Sequence, residues 1–131
     1  MASIRFLLGS EEWLTSNKRM GRYQKADVVK GLRFRASIQG RTQRPPGGKF
    51  SAENPCRLTV EVAIPTRRRF DPANSSPTVK ALVDGLTDAG WWTDDNSDVI
   101  REVTYKRADE PSSSGIYFVT IAAEPLTVGG A

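Results

Sequence analysis

Hydrophobic and polar residues alternate most regularly over residues 56–65, CRLTVEVAIP, where Leu58, Val60, Val62 and Ile64 are separated by Thr59, Glu61 and Ala63. A period of two places one side of an extended chain in a core, so this segment predicts a strand, ended by Pro65. SIRFLL, residues 3–8, predicts an earlier strand, and GSEEWLTSNKRMG a polar, basic loop after it. The period changes to that of a helix from Tyr23 to about Gln39, where Ala26, Val29, Leu32 and Ala36 fall on one stripe. Gly31 weakens that helix by about 1 kcal/mol relative to alanine. Residues 40–55, with Pro45, Pro46, Gly47 and Gly48, predict a mobile basic loop. A second helix is predicted from Pro77 to Ala89, with Val79, Leu82, Val83, Leu86 and Ala89 on its apolar side. Ser75 or Ser76 is placed to cap it, Pro77 suits its first turn and Gly90 its end. VIREVTYKR and IYFVTIAAE read as strands around the turn region ADEPSSSG, so residues 99–123 predict a hairpin. Residues 125–131 predict a frayed tail. The order is β-α-β-α-β-β in a single domain over residues 1–131. It is an α+β fold with two helices packed on a mixed sheet.

Composition narrows the chemistry. The chain has 131 residues, enough to bury a core, and 38% are hydrophobic. No apolar run approaches the roughly 20 residues of a membrane span, and the N-terminus does not read as a signal peptide. An intracellular, cytoplasmic protein is expected, with neither a membrane partner nor a nucleotide cofactor. There is no histidine, which removes His-based triads, His-ligated zinc and a His general base. Metal chemistry would have to use oxygen ligands, which favours magnesium or manganese. Cys56 is the single cysteine and reads as structural.

Charge is unevenly spread. From Lys18 to Lys49 ten Lys or Arg residues face one acid, Asp27; from Asp84 to Asp98 there are five acids and no base. The basic part points to a polyanion partner and the acidic part to a cation site. Both meet in RRRFDPANSSPTVKALVDGLTDAGWWTDD, residues 67–95, where Asp71 follows one strand, Asp95 precedes another, and Lys80 lies on the helix between them. An Asp after a strand is commonly a turn or cap residue. Two Asp side chains can also hold a divalent ion against a phosphate, with arginines and lysines gripping the backbone around it.

The stretch from Arg67 to about Arg107 resembles the RusA family of Holliday junction resolvases. The likeness is carried by Arg67-Arg68-Arg69 with Asp71 and Asn74, by Lys80, by VDGLTDAGWW with Asp84, Leu86, Ala89, Gly90 and Trp92, and by Asp94-Asp95. LTSNKR, residues 14–19, is more loosely similar, and the element order fits. The resemblance implies a homodimeric, magnesium-dependent endodeoxyribonuclease, with manganese as a substitute. It would resolve four-way DNA junctions by paired nicking in recombination and repair. By the same resemblance Asp71 and Asp95 are metal-linked acids and Lys80 contacts the scissile phosphate or stabilises charge. Members of the family occur in phage genomes, which would make the compartment the host cytoplasm.

The sequence departs from the family pattern at Ala73, where Asp-x-Asp-Asn becomes Asp-Pro-Ala-Asn. Asp94, Asn74 or water would then complete the shell, since magnesium keeps several waters. The alternative is a branched-DNA-binding protein that has lost cleavage with that acid. Geometry adds a condition. A helix from Pro77 to Ala89 is about 20 Å long, and five extended residues after Gly90 reach back at most about 17 Å. Asp71 and Asp95 therefore meet only if the chain doubles back along the helix or a second subunit completes the site. Arg67, Arg68 and Arg69 are expected at phosphates, and Lys18, Arg19, Arg22 and Lys25 along a second phosphate track, with Arg41, Arg44 and Lys49 on the loop beside it. Trp91 and Trp92 either stack on DNA or fill a core, and Asp84 and Asp88 read as helix surface.

Overall fold

The computed structural model describes residues 1–126. The fold is α+β: a four-stranded mixed sheet with two helices, in the order of elements the periodicity predicts. Strands β1 (Ala2–Gly9), β2 (Cys56–Ala63), β3 (Ile100–Arg107) and β4 (Ile116–Pro125) lie side by side as β1-β4-β2-β3. Helices α1 (Arg22–Thr42) and α2 (Ser76–Asp88) cover one face.

The alternation along β2 does what a period of two requires. Leu58, Val60 and Val62 are buried, in register with Ala123, Ile121 and Val119 of β4. Ile4 and Phe6 of β1 pair with the same Ile121 and Val119 from the other side. On the opposite face Arg57 pairs with Glu124 and Lys106 with Glu61, and no helix lies over them.

Residues 99–123 do not form the predicted hairpin. β3 pairs only with β2, in parallel, and β4 is inserted between β1 and β2. Two forces decide this. β2-α2-β3 is a strand-helix-strand crossover, the connection that parallel pairing needs. β4 also carries Val119, Ile121 and Ala123, all fully buried, and gains most from the middle of the sheet, whereas β3 carries Glu102, Thr104 and Lys106 and tolerates an edge. The link between them passes over the end of β2, where Ala108 donates to Val62 O and Ser112 to Ile64 O.

Helix α2 buries Val79, Leu82, Val83, Leu86 and Ala89, the stripe its sequence predicts. It ends at Gly90, φ +85°, with Gly90 N–H on Thr87 O and Trp91 N–H on Leu86 O, a glycine-ended stop that satisfies the last carbonyls. In α1 the stripe is offset from the prediction: Leu32, Ala36 and Gly40 are buried, Val29 partly so, and Ala26 is exposed because the first turns reach beyond the body. The helices approach through small residues. A Cβ added to Gly85 would lie 2.3 Å from Arg33 O and 2.5 Å from Ala36 Cβ. Arg33 closes this contact with a two-pronged pair to Asp88, at 2.7 and 2.9 Å.

Trp91 and Trp92 are core residues. Trp91 donates to Gly40 O at 2.9 Å and Trp92 to Thr87 Oγ1 at 2.6 Å, which satisfies both indole N–H groups and leaves neither ring a free face for DNA. Trp13 is buried and stacked on Tyr117. Cys56 is buried, and burial pushes its thiol up to about 11. The basic loop is pinned at two points despite its Pro and Gly content: Arg44 donates to Ala89 O, and Phe50 is buried and exchanges backbone bonds with Trp91 and Thr93. Of the predicted frayed tail, Pro125 belongs to β4 and Leu126 N–H bonds Pro55 O; residues 127–131 lie outside the described residues.

Candidate functional site

The charged residues of the 67–95 segment form two neighbouring groups, one on the turn before α2 and one along its exposed side. Pro72–Ser75 form a short 3-10 turn. Asp71 caps it, with Oδ1 accepting the Ala73 N–H at 3.0 Å. The side-chain cap therefore belongs to Asp71 rather than to Ser75 or Ser76: Ser75 occupies the N-cap of α2, but its hydroxyl donates to Pro72 O. Ala73 is exposed on this turn, so a longer side chain there would point to solvent.

The loop after β1 docks onto the same turn. Ser16 N–H donates to Asn74 O at 2.9 Å. The buried Thr78 hydroxyl, in the first turns of α2, accepts the Leu14 N–H and donates to Leu14 O, both at 2.8 Å. A depression of about 270 Å³ results, lined by Asp71, Asn74, Arg68 and Arg69 together with Thr15 and Asn17. The loop after β1 and the segment that holds Arg68, Arg69, Asp71 and Asn74 thus line one depression. Thr78, which holds them together, was not singled out from the sequence; a lone threonine on an amphipathic helix gives no signal of a buried partner.

Asp95 and Lys80 meet beside it. After Gly90 the chain turns back along α2, so that Asp95, seven residues beyond the helix, accepts from Lys80 Nζ at 3.0 Å. The chain does double back, but the reversal brings Asp95 to Lys80 and not to Asp71, which lines a separate depression. Lys80 Nζ also donates to Asp84 Oδ1 at 2.9 Å, so one ammonium holds two carboxylates. The Lys80 side chain is 67% exposed, Asp84 27% and Asp95 25%, which leaves the group reachable from solvent. The Asp84 and Asp95 carboxylates raise the lysine above its usual range. The Lys80 ammonium holds the Asp95 carboxyl below the usual carboxylate range. Asp84, expected to be helix surface, is therefore part of this cluster. Its signal was the four-residue spacing from Lys80, which equally describes an ordinary solvated pair.

The remaining predicted residues are dispersed. Asp94 is turned into its own loop, accepting from Asp95 N–H and Asn96 Nδ2. Arg67 reaches Glu110 at 2.9 Å. Lys18 donates to the carbonyls of Ser10 and Trp13, and Arg22 lies over Tyr23. Arg19 and Lys25 are exposed, at the open end of α1.

Asp71 and Asp95 do not share a cavity. Asp95 lines a second depression of about 360 Å³, walled by Leu58, Val79, Val83 and Tyr105, and the two linings meet at Ser75 and Ser76. Among the described residues no group of three His, Cys, Asp or Glu side chains stands close enough to share an ion. The cluster around Lys80 nevertheless fits a divalent cation in kind. Its donors are carboxylate oxygens, and two of them already converge on one positive charge. Asp84 and Asp95 would hold such an ion, with water completing its shell.

No protein-family model and no curated protein matches this chain. Among the described residues no helix is long and apolar enough to cross a membrane.

Proposed function

We propose that the protein is a metal-dependent endodeoxyribonuclease that resolves Holliday junctions by paired nicking, working as a homodimer with magnesium or manganese. The observation that carries this reading is the meeting of Asp95 and Lys80 on the surface, next to the wall that presents Asp71, Arg68 and Arg69. These residues come from three points of the 67–95 segment, before, on and after α2, and they are among those on which the resemblance rests.

A divalent ion bound at the carboxylates would polarise the phosphoryl group and activate water. The chain's own residues supply the rest. Arg68 and Arg69 hold the phosphodiester backbone, as guanidinium groups do where planar, two-pronged contacts are useful. Lys80 brings a positive charge to the scissile phosphate. Asp95 and Asp71 line separate, neighbouring depressions, one on each side of the Ser75–Ser76 step. A two-fold dimer suits a substrate with two equivalent strands to cut.

A second reading, a branched-DNA-binding protein without cleavage, is favoured by one observation: Asp71 is engaged in capping its turn and lies outside the Lys80 cluster. A labelled four-way junction separates the two. Nuclease action gives symmetric nicks with magnesium and none with EDTA, lost in Asp71→Asn and Asp95→Asn while binding persists. Binding without nicks under either magnesium or manganese establishes the second reading. Ala73→Asp adds a carboxylate where the family pattern has one, and a large gain in rate would show that this acid is the missing group.

A further inference from the structure

The two edges of the sheet are finished differently. On β1 the carbonyls of Arg5 and Leu7 accept from Gln39 Nε2 and Arg35 Nη2 of α1, both at 2.8 Å, so side chains already occupy that edge. On β3, among the described residues, no hydrogen bond beyond the ladder with β2 reaches the main chain of residues 101–107. Ala108 N–H bonds Val62 O, so by the alternation of a strand Val103, Tyr105 and Arg107 turn their N–H and C=O groups away from β2. Such an unpaired row is a template for another strand. An apolar surface lies beside it: Val103 is 47% exposed and, with Tyr105, lines the depression of Leu58, Val79 and Val83. We propose that β3 pairs antiparallel with β3 of a second copy of this chain, about a two-fold axis at Thr104, joining two four-stranded sheets edge to edge. The pairing rests on the strand itself and, for its role, on the homodimer of the proposed function.

Side-chain chemistry selects that register. With Thr104 on the axis, Glu102 faces Lys106 of the second copy and Val103 faces Tyr105 of the second copy, and symmetry makes each pair twice. Glu102 and Lys106 lie on the open face of the sheet, where Lys106 meets Glu61 at 3.3 Å and exposed Glu102 makes no ion pair among the described residues. On the other face Val103 and Tyr105 close the apolar depression from its side. Moving the axis to Val103 sets Glu102 against Thr104, and moving it to Tyr105 sets Lys106 against Thr104; either loses the charge pairs. The charges that let β3 tolerate an edge thus also restrict what it pairs with. Arg101 and Arg107 fall opposite each other, but each is turned to its own chain, Arg101 to Asp98 O at 3.3 Å and Arg107 to Thr66 O and the face of Phe70. Lys80 and Asp95 line the same depression as Val103 and Tyr105, so the pairing sets two copies of them about one axis, which suits two equivalent strands to cut.

The test uses the full chain without DNA. Sedimentation of the parent is expected to show a dimer. Glu102→Lys and Lys106→Glu each turn both charge pairs into like-charge pairs and are each expected to weaken the dimer about tenfold. Mixed in equal amounts, the two variants regain both attractive pairs and are expected to associate more strongly than either alone, a rescue that a damaged fold cannot give. Thr104→Cys, on the axis, is expected to form a disulfide between chains under mild oxidation, whereas Glu102→Cys, two residues away on the same face, is not. The natural Cys56 is buried and does not compete. A dimer that neither charge substitution weakens, no gain on mixing, or a Thr104→Cys crosslink no faster than that of Glu102→Cys overturns the pairing and leaves the homodimer of the proposed function to another surface. A monomeric parent overturns the pairing and the homodimer together, while junction cleavage, assayed separately, decides the nuclease chemistry.

Discussion

Asp95 and Lys80 shift each other's titration in opposite directions, and their effects on stability have opposite signs with pH. The carboxyl is held below its usual range, so its contribution is present above about pH 3.9 and disappears as pH falls through its lowered value. The ammonium is held above its usual range, so its contribution is complete below about pH 10.4 and disappears as pH rises through its raised value. The contact therefore stabilises the ion-free protein across the neutral range and at neither extreme. Thermal unfolding of the parent and Lys80→Gln in EDTA is expected to differ most between about pH 5 and 9, with the gap narrowing as pH falls below about 3.9. A gap that stays the same width down to the acid limit of the titration would mean that the pairing contributes nothing. Because the lysine is mostly exposed, the gap will be small.

At the scale of elements, the site depends on how closely α1 and α2 approach. Gly85 has backbone and a Cβ where its own side chain would be, and neither is the flexible end of a long residue. Gly85→Ala must push the helices apart, at a cost of about 3 kcal/mol, the upper part of the range for overpacking. A melting temperature lower by about 10 °C is expected; a change of less than about 2 °C would show that the helices have room to yield. The same element shows what periodicity can and cannot reveal. The stripe Val79, Leu82, Val83, Leu86, Ala89 and the stop at Gly90 depend on neighbouring residues only, so α2 was readable to within a residue. The pairing of β3 depends on where a crossover lands, which no local pattern encodes, and two successive strands were read as a hairpin by default. Asp95 and Lys80 were found by resemblance, because a contact made by a chain reversing along a helix has no spacing rule. Asp84 and Thr78 were missed for the same reason: each looks like an ordinary helical residue until the segment facing it is in place.

At the scale of the whole molecule, the proposed DNA contacts fall to the arginines after β2 that line the depression with Asp71. Arg67 already has Glu110, and Lys18 is bonded to two carbonyls, whereas Arg68 and Arg69 line the depression with Asp71. Junction affinity measured from 50 to 200 mM salt is expected to lose up to about two units of its logarithmic salt slope in an Arg68→Ala, Arg69→Ala double variant. An unchanged slope would remove these residues from the phosphate contacts. The strand order has a consequence for synthesis. Ala2 pairs with Ala123, and every partner of β1 lies in β4. While the ribosome is still adding residues before Ile116, the first strand has nothing to bond, and β2 has only its outer neighbour β3. The sheet is closed by β4, which must slide between two strands made before it. Such long-range pairing is slow and leaves apolar edges bare while it waits. The arginines and acids of residues 67–95 belong to the β2-α2-β3 unit, so the strand that must wait for a neighbour is β1, and with it the loop that Thr78 ties to α2.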